Sequence, residues 1–188
     1  FLYLNVKDIK LNEEYFMKML LMILSLSAIA FGHTDVLESG GFGSGFLHPV
    51  SGLDHVLAMV GVGMVAFFAA KKGYLLLFAF MGAMIISAAF GFKGIEIPFV
   101  EEGILLSIAV VFALIGFANK ISINTIVSVV AFFGMFHGFA HGAEFTSGSF
   151  AGYMLGFSLS TLFLHLTGIA LAYAYSKTAM VKQTQEIL

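Results

Sequence analysis

Residues 136–145, FHGFAHGAEF, set His137, His141 and Glu144 at i, i+4 and i+7. On a helix all three project from one face over about two turns. An i, i+4 histidine pair is a compact metal-chelating arrangement, and the carboxylate adds negative charge. A second group, HPVSGLDH at residues 48–55, holds His48, Asp54 and His55. Pro49 suits the first turn of a helix, where its missing N–H costs nothing. A helix is therefore expected to open there, with His48 and His55, seven apart, roughly on one face. The donor types suggest the ion. Imidazole suits zinc, copper, iron and nickel, whereas magnesium and calcium prefer all-oxygen sites. With no cysteine in the chain, thiolate ligands, disulfides and cysteine nucleophiles are excluded. Imidazole and carboxylate without sulfur point to a borderline divalent transition metal. Cu(I) is disfavoured, and the ten methionines are mostly scattered through apolar segments as packing.

Two further histidines stand apart. His165 lies deep in a late apolar run, LSTLFLHLTG, with Ser158, Ser160, Thr161 and Thr167 around it. It reads either as a structural histidine bonded to a neighbouring hydroxyl or as a second metal station. His33, beside Asp35 and Glu38, would sit near a mature N-terminus and could collect metal there.

The elements that must position these residues are apolar helices. The chain of 188 residues is 60% hydrophobic and 11% charged, against about 25% charged residues in soluble domains. Mean hydropathy is +0.99. The apolar segments are continuous and about 20 residues long, which reads as spanning helices and not as the alternating strands of a barrel. The expected fold is all-α: a polytopic membrane protein with about five transmembrane helices after a cleaved signal peptide. Residues 1–16 are polar, patternless and begin without methionine, and read as a non-native or upstream extension. Residues 17–32, MKMLLMILSLSAIAFG, follow the plan of a signal peptide: one lysine, a short apolar core, then small residues. Residues 33–176 form a single transmembrane domain, and 177–188 a short tail.

The five apolar segments run approximately over 49–70, 73–92, 99–118, 121–142 and 149–175. Lys71, Lys72 and Lys120 mark the first and third connections, and Lys177 and Lys182 the tail. Lys93 stands in the second with Glu96, Glu101 and Glu102, where the acidic residues collect. The positive-inside rule places the lysine-rich ends in the cytoplasm of a bacterial inner membrane, with the N-terminus outside and the C-terminus inside. Both histidine groups then meet at the outer boundary. Ser107, Asn124, Ser128 and His165 lie beyond them, as polar groups continuing inward. Gly134, Gly138 and Gly142, then Gly152 and Gly156, recur every four residues. Such spacing lets helix backbones approach closely, and it suggests that spans four and five touch.

HPVSGLDHVLAMVGVG and FHGFAHGAE resemble the two signature stretches of the HupE/UreJ family, small membrane proteins associated with nickel supply to hydrogenase and urease. The resemblance runs from His33 to about Ser176 and includes GFSLSTLFLHLTGIALAYA. It implies that His48, Asp54 and His55 fill the family's H-x5-D-H motif and that His137, His141 and Glu144 fill its second motif. It implies a secondary permease for nickel or cobalt, with the metal ion as cargo and no prosthetic group. The chain has no G-x4-G-K-[ST] stretch and no arginine, and its net charge of −2 carries no nucleic-acid footprint. The expectation is a transporter and not an enzyme. The partners are the metal ion and the lipid bilayer, with a homo-oligomer and downstream maturation proteins left open. Two alternatives stand beside it: an intramembrane zinc-dependent hydrolase using Ser51, and a metal sensor or storage protein.

Overall fold

A computed structural model describes residues 41–118 and 120–187. The expected signal peptide and the residues His33, Asp35 and Glu38 lie outside them. Among the described residues six α-helices run in order: α1 Phe42–Ser51, α2 Leu53–Phe68, α3 Tyr74–Phe92, α4 Val100–Phe117, α5 Ile123–Glu144 and α6 Phe150–Ile187. Four helical segments among the described residues are long and apolar enough to cross a membrane: Ala70–Phe92, Val100–Phe117, Ile123–Glu144 and Phe150–Lys177. The pair α1 and α2 passes the same test as a unit and makes a fifth. The all-α, polytopic expectation holds.

The first unit departs from the expected straight helix. α1 begins at Phe42, so Pro49 lies near its end and not in its first turn. The chain then bends by 85° between α1 and α2. Two local causes meet here. Pro49 has no N–H to give the Gly45 carbonyl one turn back, and Gly52 takes an extended conformation (φ −101°, ψ 123°) between the helices. His48 and His55 therefore ride on two different helices.

Helix ends follow their sequences. Ser122 caps α5, its Oγ accepting from the Thr125 N–H at 3.1 Å. Ser149 does the same for α6, accepting from the Gly152 N–H at 3.1 Å. Glu101 and Glu102 sit in the first turn of α4, where the helix dipole favours negative charge.

Spans four and five do touch, through the rings of His141 and Phe157, but the close backbone approaches of their glycines are made to other helices. The glycines of α5 pack on α3. A Cβ at Gly134 would come 2.7 Å from the Phe80 carbonyl oxygen, one at Gly138 2.1 Å from that of Met84, and one at Gly142 2.1 Å from that of Ala88. α3 and α5 thus run side by side in the same direction. Gly156 of α6 packs on α1 at Phe42, Gly168 on α2 at Val60, and Gly45 of α1 on Tyr153 of α6. Spacing of four identifies a contact face but not the partner. The interior is filled by Met59, Val62, Phe80, Met84, Ile108, Ile115 and Phe157. Phe78, Ile86 and Phe163 are largely exposed on the outside of the bundle, which suits a surface solvated by lipid.

Candidate metal site

Three helices bring the two sequence groups together. α1 delivers His48 in its last turn, α2 delivers Asp54 and His55 in its first, and α5 delivers His137, His141 and Glu144 in its last two. The bend at Gly52 lets two consecutive helices aim side chains at one point. A Cβ at Gly52 would lie 2.7 Å from Asp54 Oδ1 and 3.0 Å from His55 Nδ1. A side chain there would push into the contact that holds His55.

His48, His55 and His141 each offer a nitrogen, and these atoms lie within 4.8 Å of one another. Nitrogens around a tetrahedral ion at ~2.1 Å sit roughly 3.4 Å apart. The trio therefore needs a closure of only about 1.4 Å at its widest. The His55 and His141 Nε2 atoms are already 2.8 Å apart. The Phe157 ring covers His141 at a centroid distance of 4.1 Å. His55 and His141 are buried, and His48 is half-buried and forms the outer edge.

The carboxylates stand around the imidazoles. Asp54 Oδ1 is 2.9 Å from His55 Nδ1. Glu144 Oε2 is 3.1 Å from His141 Nδ1 and 3.2 Å from His48 Nε2. This is the arrangement in which a carboxylate behind a ligating histidine fixes its ring and its tautomer. It also sets a hydrogen count. An ionised carboxylate only accepts, so His55 Nδ1 and His141 Nδ1 must both donate. The two Nε2 atoms can then form a hydrogen bond only if one of them also carries a hydrogen. Two neutral rings carry two hydrogens in all, but this network needs three. With both rings neutral the two Nε2 lone pairs face each other, so the contact calls for a third hydrogen in the metal-free site or a cation between the rings.

His137 stands one layer deeper. It is fully buried, its ring centroid is 5.3 Å from that of His55, and Ser107 Oγ lies 3.1 Å from its Nε2. Its Nδ1 finds no partner among the described residues. Ser107 thus belongs to the inward polar set, as expected. Asn124 and Ser128 do not, because both are exposed on α5. Ser128 precedes His137 by nine residues, which at ~100° per residue puts it on the opposite face. His165 is fully buried as well, and the Phe80 ring touches both it and His137, at centroid distances of 5.4 and 5.3 Å. Phe80, Tyr153 and Phe157 were not legible as site residues, since in the sequence they look like ordinary apolar packing. The buried series Tyr153, Phe157, Thr161 and His165, at steps of four, was the available signal.

The chain matches the HupE / UreJ protein family over residues 20–187. It is 39% identical over 154 residues to protein HupE of Rhizobium leguminosarum bv. viciae, a match covering 81% of this chain and 80% of that protein. No solved structure matches it. With both histidine groups inside the matched region, and the match covering most of both chains, this chain is a member of the HupE/UreJ family.

Proposed function

We propose that this protein is an uptake permease for a divalent transition-metal ion, nickel or cobalt, serving the maturation of hydrogenase or urease. One observation carries the reading: two motifs distant in sequence converge three imidazole nitrogens within 4.8 Å at one end of the bundle. His48, His55 and His141 are the proposed ligands, with Asp54 and Glu144 orienting them and offsetting charge. His137, and then His165, lie on the inward path. Buried ionisable groups in spanning helices commonly mark such paths. In this reading the trio faces the periplasm of a bacterial inner membrane and Lys71, Lys72 and Lys120 face the cytoplasm. A negative-inside potential then favours entry by about 2.3 kcal/mol per charge per 100 mV.

The hydrolase alternative has less behind it. An enzyme needs one closed site and an available nucleophile or water. Ser51, the nearest hydroxyl in the motif, donates to the His48 carbonyl at 2.7 Å on the exposed side, and buried polar side chains continue below the trio. Uptake of radioactive nickel, cobalt, zinc and copper into sealed vesicles tests the proposal. Saturable nickel or cobalt entry that His55→Ala abolishes is the expected result. Equal, non-saturating entry of all four metals would overturn it.

A further inference from the structure

Several hydroxyls of the spanning helices bond back to their own helix. Ser87, Ser107, Thr167 and Ser176 donate to carbonyls of their own helices, at 3.2, 2.6, 2.9 and 2.7 Å. Such back-bonding is the ordinary way a helix satisfies a serine or threonine away from water. Ser160 and Thr161 depart from it. Both are fully buried, and neither hydroxyl has a partner among the described residues. Thr161 lies one turn before His165, which is also fully buried and has no partner on either ring nitrogen. Four unmatched polar atoms within six residues of one helix are a costly concentration for an apolar bundle.

The surroundings are fixed by backbone contact. Gly63 of α2 lies so close to the His165 carbonyl that a Cβ there would approach its oxygen to 2.0 Å. Gly168, three residues further on, packs in the same manner on Val60. α2 and α6 are thereby locked together at this depth. The His165 ring meets the Phe80 ring of α3 edge-on, at an interplanar angle of 84°, and Phe80 also meets His137.

We propose that His165 and Thr161, which share one face of α6, form a second, weaker divalent-cation station inside the bundle, linked to His137 through their shared neighbour Phe80. The proposal rests on the permease reading and deepens it. One imidazole and one hydroxyl offer fewer and weaker donors than the trio and carry no carboxylate, while imidazole retains the preference for a borderline metal. A weak inner station after a strong outer one suits passage, which requires binding favourable enough to enter and weak enough to leave.

The test uses the full chain, in detergent for binding and in sealed vesicles for uptake, with nickel(II) and cobalt(II) as probes. Calorimetry on the wild type should resolve a tight and a weak class of site. In His165→Ala the tight class should keep its affinity within about two-fold, the weak class should vanish, and initial uptake should fall roughly ten-fold or more. Thr161→Val keeps the side-chain shape and should weaken the weak class by about five-fold, the usual effect of losing one polar contact. It also carries the test if His165→Ala does not fold. A weak class intact in the folded variants, or no weak class in the wild type, overturns the station. Loss of both classes together in folded His165→Ala overturns it as a separate site. A wild type without uptake, whose weak class still vanishes in His165→Ala, would overturn the permease reading and leave the station supported as a binding site.

Discussion

Binding of nickel(II) or cobalt(II) at the trio should release about one proton per ion near pH 7.5, because a cation between His55 and His141 displaces their shared hydrogen. The number comes from the contacts. Asp54 at 2.9 Å and Glu144 at 3.1 Å each require a donor, and the Nε2 pair at 2.8 Å requires a third hydrogen. The metal-free site thus binds one proton more than the metal-bound site, so acid favours the metal-free form. Affinity should fall about ten-fold, or ~1.4 kcal/mol, for each pH unit lost while that difference is one proton. The assay is calorimetry in buffers of different ionisation enthalpy, where the dependence of the observed enthalpy on the buffer value gives the proton count. Asp54→Asn supplies the decisive comparison. An asparagine amide can donate to His55 Nδ1, and two neutral rings then satisfy every contact. Proton release should drop toward zero in that variant, and the pH dependence should flatten. A wild-type release near zero, or an undiminished release in Asp54→Asn, would refute the hydrogen count.

Three other outcomes are expected. His55→Ala and His141→Ala should each remove most of the metal affinity, and the double substitution should cost clearly less than the sum, because their rings touch; additive losses in calorimetry would mean two separate sites. Gly138→Ala should destabilise the bundle by about 1–3 kcal/mol or more, as overpacking does, since its Cβ would lie 2.0 Å from Ser87 Oγ and 2.1 Å from the Met84 carbonyl oxygen; an unchanged melting temperature in detergent would contradict the α3–α5 packing. Reporters fused after Lys72 and Lys120 should be cytoplasmic and those after Glu101 and Ser147 periplasmic, and the reverse at either pair would invert the proposed entry side.

The features legible in the sequence are those that local chemistry dictates. Continuous apolar runs of spanning length specify helices, since backbone polar groups in lipid must be satisfied within the segment. The i, i+4 spacing of His137 and His141 gives their shared face by helix geometry alone. The unusual placement of histidine and carboxylate in apolar surroundings singled out both halves of the site. Tertiary structure decided the rest. Pro49 is compatible with a helix start or a helix end, and only the packing of Gly45 on Tyr153 places α1 before it and the bend after it. Glycines four apart announce a close approach, but whether α5 leans on α3 or on α6 depends on which neighbour presents a complementary ridge. Asn124, Ser128 and Thr161 are alike in polarity, yet only Thr161 is turned inward. Phe80 gives no sign in the sequence of touching two histidines. Spacing along a chain fixes directions within one helix, whereas a site shared by three helices is fixed by how their backbones pack, which is set by contacts remote in sequence.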